Sequence, residues 1–180
     1  RSFFLVLEQN DSAKQAIYWT RSGLSDENFQ WLFGLPFTHT RGDLAFYHAA
    51  PLRPSRWAYV VQEQDADLHI SHGMSEKMKR WNFVGHSHLP GVFLRSGRFL
   101  SPTEIGGEWR VDEQAIVNIG SVGQPRDGDP RSSFVTYDGD GVGGTVRFHR
   151  LAYDVEATMA KIRAIPQLPV YLAERLAKGG

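Results

Sequence analysis

The sequence of 180 residues contains no cysteine. This absence excludes disulfide frameworks, zinc sites built on thiolates and cysteine nucleophiles. Any metal ion bound by the chain must therefore be held by histidine, aspartate, glutamate or asparagine side chains. The seven histidines are accordingly the first residues to place.

The chain also lacks a charge imbalance, because 20 lysines and arginines balance 20 aspartates and glutamates. A neutral chain has no basic field of the kind that attracts nucleic acid, so the composition argues against a DNA-binding or RNA-binding protein. No apolar run approaches the roughly 18 residues of a membrane span, and no secretory signal opens the chain. We expect no membrane partner and a cytoplasmic location.

The sequence does contain an ordinary share of apolar and aromatic residues, 41% and 12%, which suits a globular core. Apolar residues at helical spacing predict helices at 11–21, 25–35, 155–165 and 169–177. Short apolar runs bounded by turn residues predict strands at 44–48, 81–84, 91–100, 107–112, 115–119, 133–137 and 145–153. The stretch 51–72 has no clear pattern. This order of elements predicts a layered α/β fold.

Three histidines stand at the ends of two predicted strands. His48 ends the strand 44–48, and the segment Gly85-His86-Ser87-His88 follows the strand 81–84. We expect Gly85 to bend the chain there, so that His86 and His88 lie in a loop and reach adjacent ions. Neutral imidazole is a common ligand of zinc, iron, manganese and nickel. The alternative is hydrogen-bonded loop histidines, because an isolated HxH pair is a weak motif.

Three sequence blocks carry a more specific resemblance. Residues 82–90, NFVGHSHLP, resemble the block of calcineurin-like metallophosphoesterases in which a strand precedes G-H-[ST]-H and a nearby proline. Residues 46–51, FYHAAP, resemble the earlier H-G-S-P block with both small positions changed to alanine. Residues 116–126, IVNIGSVGQPR, are similar to the V-N-P-G-S-V-G-Q-P-R stretch of the bacterial branch, which includes small phosphodiesterases and diadenosine tetraphosphatase-like enzymes. With three blocks in this order, the chain is identified as a member of this family.

The resemblance implies the C-terminal part of a four-layer α/β/β/α sandwich with a dinuclear site. In such a site two divalent ions about 3.5–4 Å apart activate a water as hydroxide and clamp the phosphate. By the family pattern, His48 and His86 bind one ion and His88 binds the other. The ions would be Mn, Fe, Zn or Ni, and the substrate a small phosphorylated molecule, with nucleotides among the candidates.

We recognise none of the family's earlier ligand blocks, D-x-H, G-D and G-N-H-[DE], in this chain. The Gly42-Asp43 pair lies in a predicted turn. We therefore expect the catalytic histidine to lie upstream of Arg1 and residues 1–180 to form a single domain. That domain would be the C-terminal part of a larger one whose N-terminal β-α-β-α unit is missing, and this chain alone would be inactive. Three explanations stay open: a fragment, a missing half on a second chain, or a natural degenerate product.

Three further residues are candidates for substrate binding. Asn118 and Ser121 lie at a predicted strand end near the histidines, and the alternative for both is plain turn chemistry. Arg126 is the candidate for a substrate phosphate, because a guanidinium donates to two oxygens at once. Its alternative is a salt bridge to Asp127 or Asp129 on a solvated loop.

The leading functional hypothesis is hydrolysis of phosphodiesters or phosphomonoesters by the complete protein. The second is a catalytically inactive metal-binding or regulatory module that retains the fold. The replacement of both small residues after His48, by Ala49 and Ala50, favours altered activity. A nuclease of the same superfamily is disfavoured by the neutral charge.

Overall fold

A computed structural model describes residues 11–72, 78–140 and 142–180. Its helices, in chain order, are α1 (Asp11–Gly23), α2 (Asp26–Gly34), a 3-10 helix (Pro54–Arg56), α3 (Glu63–His72), α4 (Val155–Arg163) and α5 (Tyr171–Lys178). Its strands are β1 (Thr38–Arg41), β2 (Leu44–Tyr47), β3 (Trp81–Val84), β4 (Gly91–Leu94), β5 (Phe99–Leu100), β6 (Glu108–Arg110), β7 (Ala115–Asn118), β8 (Ser132–Gly139) and β9 (Gly144–Leu151). The predicted mixed α/β fold is confirmed. None of the described helices is long and apolar enough to cross a membrane.

The chain forms two compact units, and the first contains α1, α2, α4 and α5. Helix α2 begins where the sequence predicts, because the Ser25 hydroxyl accepts a hydrogen bond of 3.2 Å from the Asn28 amide. Met159, Ala173 and Leu176 form the small core between α4 and α5. The prediction that residues 1–180 form one domain of a larger protein stays a prediction.

The second unit, residues 37–153 with 179–180, contains two sheets. The larger sheet has the strand order β1-β2-β3-β7-β4-β5, and the smaller has the order β6-β9-β8. Strands β2, β3 and β7 run parallel to one another, with Phe46 opposite Phe83 and Val84 opposite Asn118. The carboxyl ends of these three strands therefore meet at one edge of the sheet.

Alternation along the strands divides the apolar residues of the large sheet between two cores. Trp81, Phe83 and Val117 face the smaller sheet, where Trp109 and Val146 complete a buried cluster. On the opposite face, the cluster contains Val84, Phe93, Ile116 and two residues of α3, Ala66 and Ile70. The large sheet is thus covered on both sides, which explains why β3 and β7 are buried along their whole length.

Helix α3 lies in the stretch for which the sequence shows no pattern. The Asp65 carboxylate accepts hydrogen bonds from the backbone amides of Val61 and Gln62, at 3.1 and 3.2 Å, and so caps the start of the helix. The helix buries Ala66, His69 and Ile70, a face with one large apolar residue. So small an apolar face leaves little periodic signal in the sequence.

The strand predicted at 107–112 is present as β6, but its partner is β9 of the smaller sheet. Strand β4 instead forms its hairpin with β5, where Val92 lies opposite Leu100. The sequence predicts strands at 91–100 and 107–112 but not their partners, because sequence order alone does not determine which non-adjacent strands pair.

A tight turn at Gly120 connects β7 to the loop that follows it. Gly120 has a φ of 77°, and a Cβ placed there would lie 2.4 Å from the Ser133 Oγ and 2.7 Å from its Cβ. Ser133 is buried and its hydroxyl donates to the Ile119 carbonyl at 3.1 Å, so it has little freedom to move. The turn therefore requires glycine both for its backbone conformation and for space.

Replacing Gly120 with alanine is expected to lower the free energy of unfolding by about 2–4 kcal/mol, from left-handed strain and overpacking together. Gly97 is the control for strain alone, since its φ is 84° and its Cβ would meet no atom within 4 Å. Gly123 has neither constraint. Urea unfolding should show the largest loss of unfolding free energy for Gly120→Ala, a smaller loss for Gly97→Ala and the smallest for Gly123→Ala. Equal losses for Gly120→Ala and Gly97→Ala would contradict a contribution from overpacking at Gly120.

Candidate functional site

The edge where β2, β3 and β7 end brings together the residues that the sequence singled out. His48 directly follows β2, the segment from Gly85 to His88 follows β3, and Asn118 is the last residue of β7. The Gly85 amide donates to the His48 carbonyl at 3.0 Å and joins the first two segments. Polar side chains from separate strands thus share one edge, as the sequence predicts.

The segment from Gly85 to His88 makes its bend differently from the prediction. The left-handed residues are His86 and His88, with φ of 59° and 62°, and Gly85 is not among the residues with positive φ. The Ser87 amide donates to the Gly85 carbonyl at 2.7 Å, closing a three-residue turn around His86. The prediction that Gly85 makes the bend was therefore wrong. The strained conformation belongs to the two histidines themselves.

The Asn118 side chain holds this loop in place. It is fully buried, and its amide nitrogen donates to the Ser87 hydroxyl at 2.5 Å and to the Gly85 carbonyl at 3.3 Å. Its amide oxygen accepts from the Gly120 backbone at 3.0 Å. These bonds fix the loop against β7. The assignment of Asn118 to substrate binding stays a prediction, and its buried amide makes these contacts within the protein.

His48 and His86 lie side by side, with the His48 Nε2 3.3 Å from the His86 Nδ1. Two nitrogens bound at about 2.0–2.1 Å to one tetrahedral ion are about 3.3–3.4 Å apart, so this spacing fits a shared metal ion. It also allows a weak hydrogen bond between two neutral rings. The pair therefore meets the distance requirement of the predicted site.

The surroundings of the pair favour neutral imidazoles. The pKa of His86 is lowered to about 4, mainly by burial and next by the neighbouring His48, against a hydrogen bond to the Trp57 backbone that raises it. Contact with the rings beside it also partly buries His48, which lowers its pKa. A metal ion binds the unprotonated nitrogen, so rings that stay neutral at pH 7 are suitable ligands.

His88 is held separately from the other two. Its Nδ1 lies 2.6 Å from the Gln124 carbonyl oxygen, so this nitrogen carries the proton and the Nε2 carries the lone pair. A hydrogen bond of this kind orients metal-binding histidines in general. In the described residues, no three His, Asp or Glu side chains converge as a metal site. The predicted three-histidine cluster is thus not assembled there, and the assignment of His48, His86 and His88 as metal ligands stays a prediction.

Arg126 lies close to the histidines. Its charge lowers the pKa of both His86 and His88, after the larger effect of burial. Its backbone amide donates to the His88 carbonyl at 3.3 Å, and its Nε donates to the Gln124 Oε1 at 3.1 Å. The guanidinium is thus fixed beside the histidines by an uncharged partner.

The salt bridges that the sequence offered as an alternative for Arg126 are made by other arginines. Asp127 pairs with Arg150, and Asp129 pairs with Arg131 at 2.6 Å. Arg131 and Arg150 together lower the pKa of Asp129 to about 2. Across the described ranges, Arg126 forms no ion pair. Its cation is therefore available to an anion bound near the histidines.

Comparison with known proteins identifies relatives of this chain. The chain is 32% identical to a metallophosphoesterase from Sphaerobacter thermophilus, whose solved structure matches it with a TM-score of 0.80 over 96% of this chain and 69% of that one. The chain belongs to the metallophosphoesterase family. No protein-family model matches it.

Two other proteins resemble this chain. An uncharacterized protein of Methanocaldococcus jannaschii is 33% identical over 170 residues, which is 91% of this chain and 65% of that protein. A hypothetical protein of Pyrococcus horikoshii OT3 shares the fold, with a TM-score of 0.69 at 18% identity, over 96% of this chain and 62% of the other. The chain thus spans about two thirds of the length of these proteins. Its place in the diadenosine tetraphosphatase-like branch stays a prediction.

Two aromatic rings of this chain lie against the histidine pair. The Tyr59 ring stacks on His86, with centroids 4.3 Å apart and an interplanar angle of 18°. The Trp57 ring lies edge-on to both His48 and His86, with centroids 5.1 and 5.7 Å away. No local sequence pattern indicates that Trp57 and Tyr59 contact the histidines.

Backbone strain is concentrated in the same region of the metallophosphoesterase chain. Among the described residues, four non-glycine residues have a positive φ: Arg53, Trp57, His86 and His88. Arg53 and Trp57 flank the 3-10 helix on either side. Strain of this kind persists only where the surrounding structure imposes it, and it clusters at functional sites.

Sequence reasoning also missed two other features. Gln124 orients His88 with its backbone and Arg126 with its side chain, and the signal for it was its place in the G-Q-P-R part of the family block. The chain does contain one D-x-H triplet, Asp67-Leu68-His69, which lies within α3. The buried His69 accepts a hydrogen bond from the Leu52 amide at 3.3 Å, which is a structural contact away from the histidine pair.

Ser121, the remaining candidate, caps the turn that follows β7. Its hydroxyl accepts a hydrogen bond of 2.9 Å from the Gln124 amide, and its carbonyl accepts one of 2.9 Å from the Ser133 amide. These bonds keep Gln124 close to His88. A direct role of Ser121 in substrate binding stays a prediction.

Proposed function

We propose that the protein hydrolyses phosphate esters, diesters or monoesters, in a reaction that depends on divalent metal ions. The observation that carries the proposal is the pair of neutral imidazoles, His48 and His86, 3.3 Å apart at the ends of parallel strands. It occurs in a metallophosphoesterase fold, beside an arginine without an ion pair in the described ranges. We further propose that the substrate is a small phosphorylated molecule, with nucleotides among the candidates.

In this proposal, His48 and His86 hold one ion and the free Nε2 of His88 binds a second. The ions, Mn, Fe, Zn or Ni, supply Lewis acidity toward water and toward the phosphate oxygens when they are bound. The Gln124 carbonyl keeps the proton of His88 on Nδ1 and so leaves Nε2 as the ligand atom. Asn118 maintains the loop geometry on which both histidines depend.

Arg126 is proposed to bind the substrate phosphate. Its Nε is engaged by Gln124, which leaves the two terminal nitrogens of the fork to donate to phosphate oxygens. The transition state of phosphoryl transfer carries negative charge on those oxygens, and a fixed cation directed at them stabilises that charge and positions the phosphate. Ser121 contributes by holding Gln124.

A catalytically inactive metal-binding or regulatory module is the second candidate. It is favoured by one observation: within the described ranges, no carboxylate or third histidine joins His48 and His86. We propose that an active site draws its further ligands from sequence outside residues 1–180, on the same or a second polypeptide. The full-length protein, in this proposal, is the polypeptide or pair of polypeptides that carries these further ligands together with residues 1–180.

Metal removal distinguishes the two candidates. Treating the full-length protein with EDTA is expected to reduce hydrolysis of bis(p-nitrophenyl) phosphate to background, and adding back Mn, Fe, Zn or Ni should restore it. Residues 1–180 alone are expected to bind Zn weakly in a calorimetric titration, since a single His pair is an incomplete site. Zn binding without hydrolysis by the metal-loaded full-length protein would support the inactive module, and hydrolysis that survives EDTA would refute metal dependence.

A further inference from the structure

The segment between Ala50 and Tyr59 is a closed loop that leads back to the histidine pair. The Ala50 amide donates to the Ala58 carbonyl at 3.2 Å and ties the two ends together. Within the loop, the Trp57 amide donates to the Pro54 carbonyl at 3.2 Å, and Trp57 has a left-handed φ of 56°. This conformation places the next residues of the loop over His86.

The contact between Tyr59 and His86 is the tightest ring contact at the site. The two rings are nearly parallel, at 18°, and their centroids are 4.3 Å apart. The Trp57 ring meets His86 edge-on at 60°. His86 is therefore covered on one face by Tyr59, while its Nδ1 edge faces His48.

The comparison with His88 shows what this contact does. The ring of His88 is fixed by a hydrogen bond to the Gln124 carbonyl, which is the usual device for a metal-binding histidine. Among the described residues, His86 has a hydrogen bond to the Trp57 backbone and directs its Nδ1 to His48 at 3.3 Å, and its side chain starts from a strained backbone position. Stacking restricts rotation of the His86 ring about its bond to Cβ. Tyr59 therefore fixes the plane of this ring, which a hydrogen bond at a single ring nitrogen does not do.

We propose that Tyr59 is a positioning residue that holds the His86 imidazole in its metal-binding orientation, and that the closed loop from Ala50 to Tyr59 exists to deliver it. This inference rests on the proposed function, since it assumes that His86 binds a metal ion. The tyrosine ring is 43% exposed, so its replacement should have little effect on folding.

The test compares Zn affinity in variants of residues 1–180. Tyr59→Leu removes the stacked ring and is expected to weaken Zn binding by about 10–100-fold, the usual effect of losing an orienting partner. Tyr59→Phe keeps the ring and should bind within about threefold of the unmodified chain. Tyr18→Leu is the matched control, because Tyr18 is a similarly exposed tyrosine, at 54%, on helix α1. NMR signals of the His86 ring should broaden in Tyr59→Leu alone, as rotation becomes possible.

The outcomes separate this inference from the proposed function. If the unmodified chain binds no Zn, the His48 and His86 assignment fails together with the inference. If it binds Zn and Tyr59→Leu binds equally well, the positioning role alone is refuted. A variant of the full-length protein with unchanged Zn affinity but a raised KM would show that Tyr59 contacts substrate instead, which also overturns the inference.

Discussion

Replacing His86 with alanine is expected to lower kcat/KM of the full-length protein by at least about 1,000-fold and to remove Zn binding by residues 1–180. The loss exceeds the about 10–100-fold typical of an orienting partner, because a ligand atom itself is removed. His48→Ala should give a similar loss, since both nitrogens, 3.3 Å apart, are proposed to serve one ion. The double variant should then be little worse than either single one, because residues that act as a unit are not additive. Steady-state hydrolysis and calorimetric Zn titration provide the measurements.

The backbone conformation of His86 requires its own control. Alanine is strained at a φ of 59°, whereas asparagine tolerates left-handed geometry better, so His86→Asn separates the backbone effect from the loss of the ring. We expect His86→Asn to be more stable than His86→Ala and equally inactive. His149→Ala removes a half-buried imidazole from β9 and should leave hydrolysis unchanged. Recovery of hydrolysis in His86→Gly, which removes the strain and supplies no ligand atom, would refute the ligand assignment.

Replacing Arg126 with alanine has the second largest expected effect, a fall in kcat/KM of about 100-fold. Its side chain is fixed by Gln124 at 3.1 Å, so the guanidinium is already placed before a phosphate binds. Arg126→Lys keeps the charge but loses the fork, and we expect it to retain more activity, within about tenfold of the original. The loss in the alanine variant should be accompanied by weaker competitive inhibition by inorganic phosphate.

Arg131 provides the matched control on the same loop. It pairs with Asp129, and its side chain is 53% exposed, so Arg131→Ala removes a surface ion pair and a positive charge near the site. An exposed pair of this kind contributes little to stability. We expect kcat/KM to stay within about twofold, because Arg131 donates its bonds to a carboxylate and not to the substrate. Equal effects of Arg126→Ala and Arg131→Ala would mean that general electrostatics, and not a specific contact, attract the phosphate.

The strand ends were predictable from the sequence because apolar runs end abruptly. His48 follows β2, Gly85 follows β3, and Asn118 is the last residue of β7, and parallel pairing brings those ends together. The proximity of His48 and His86 follows from that topology. Their role as metal ligands rests on the family resemblance and remains to be measured.

The parts that were not predictable depend on long-range contacts or on backbone strain. The choice of Arg150 as the partner of Asp127 is set by the position of β9, which no local pattern encodes. The left-handed conformation of His86 has no composition signal either, because histidine adopts it only when tertiary contacts impose it. Helix α3 was missed because its buried face is short.

The four left-handed residues, Arg53, Trp57, His86 and His88, imply a conflict between selection for stability and selection for activity. Each costs on the order of 1 kcal/mol or more, and glycine at any of these positions would remove that cost. A descendant that no longer needed the chemistry would gain stability by replacing His86 and His88 with glycine. The persistence or loss of these residues across a lineage would therefore record when the activity was in use.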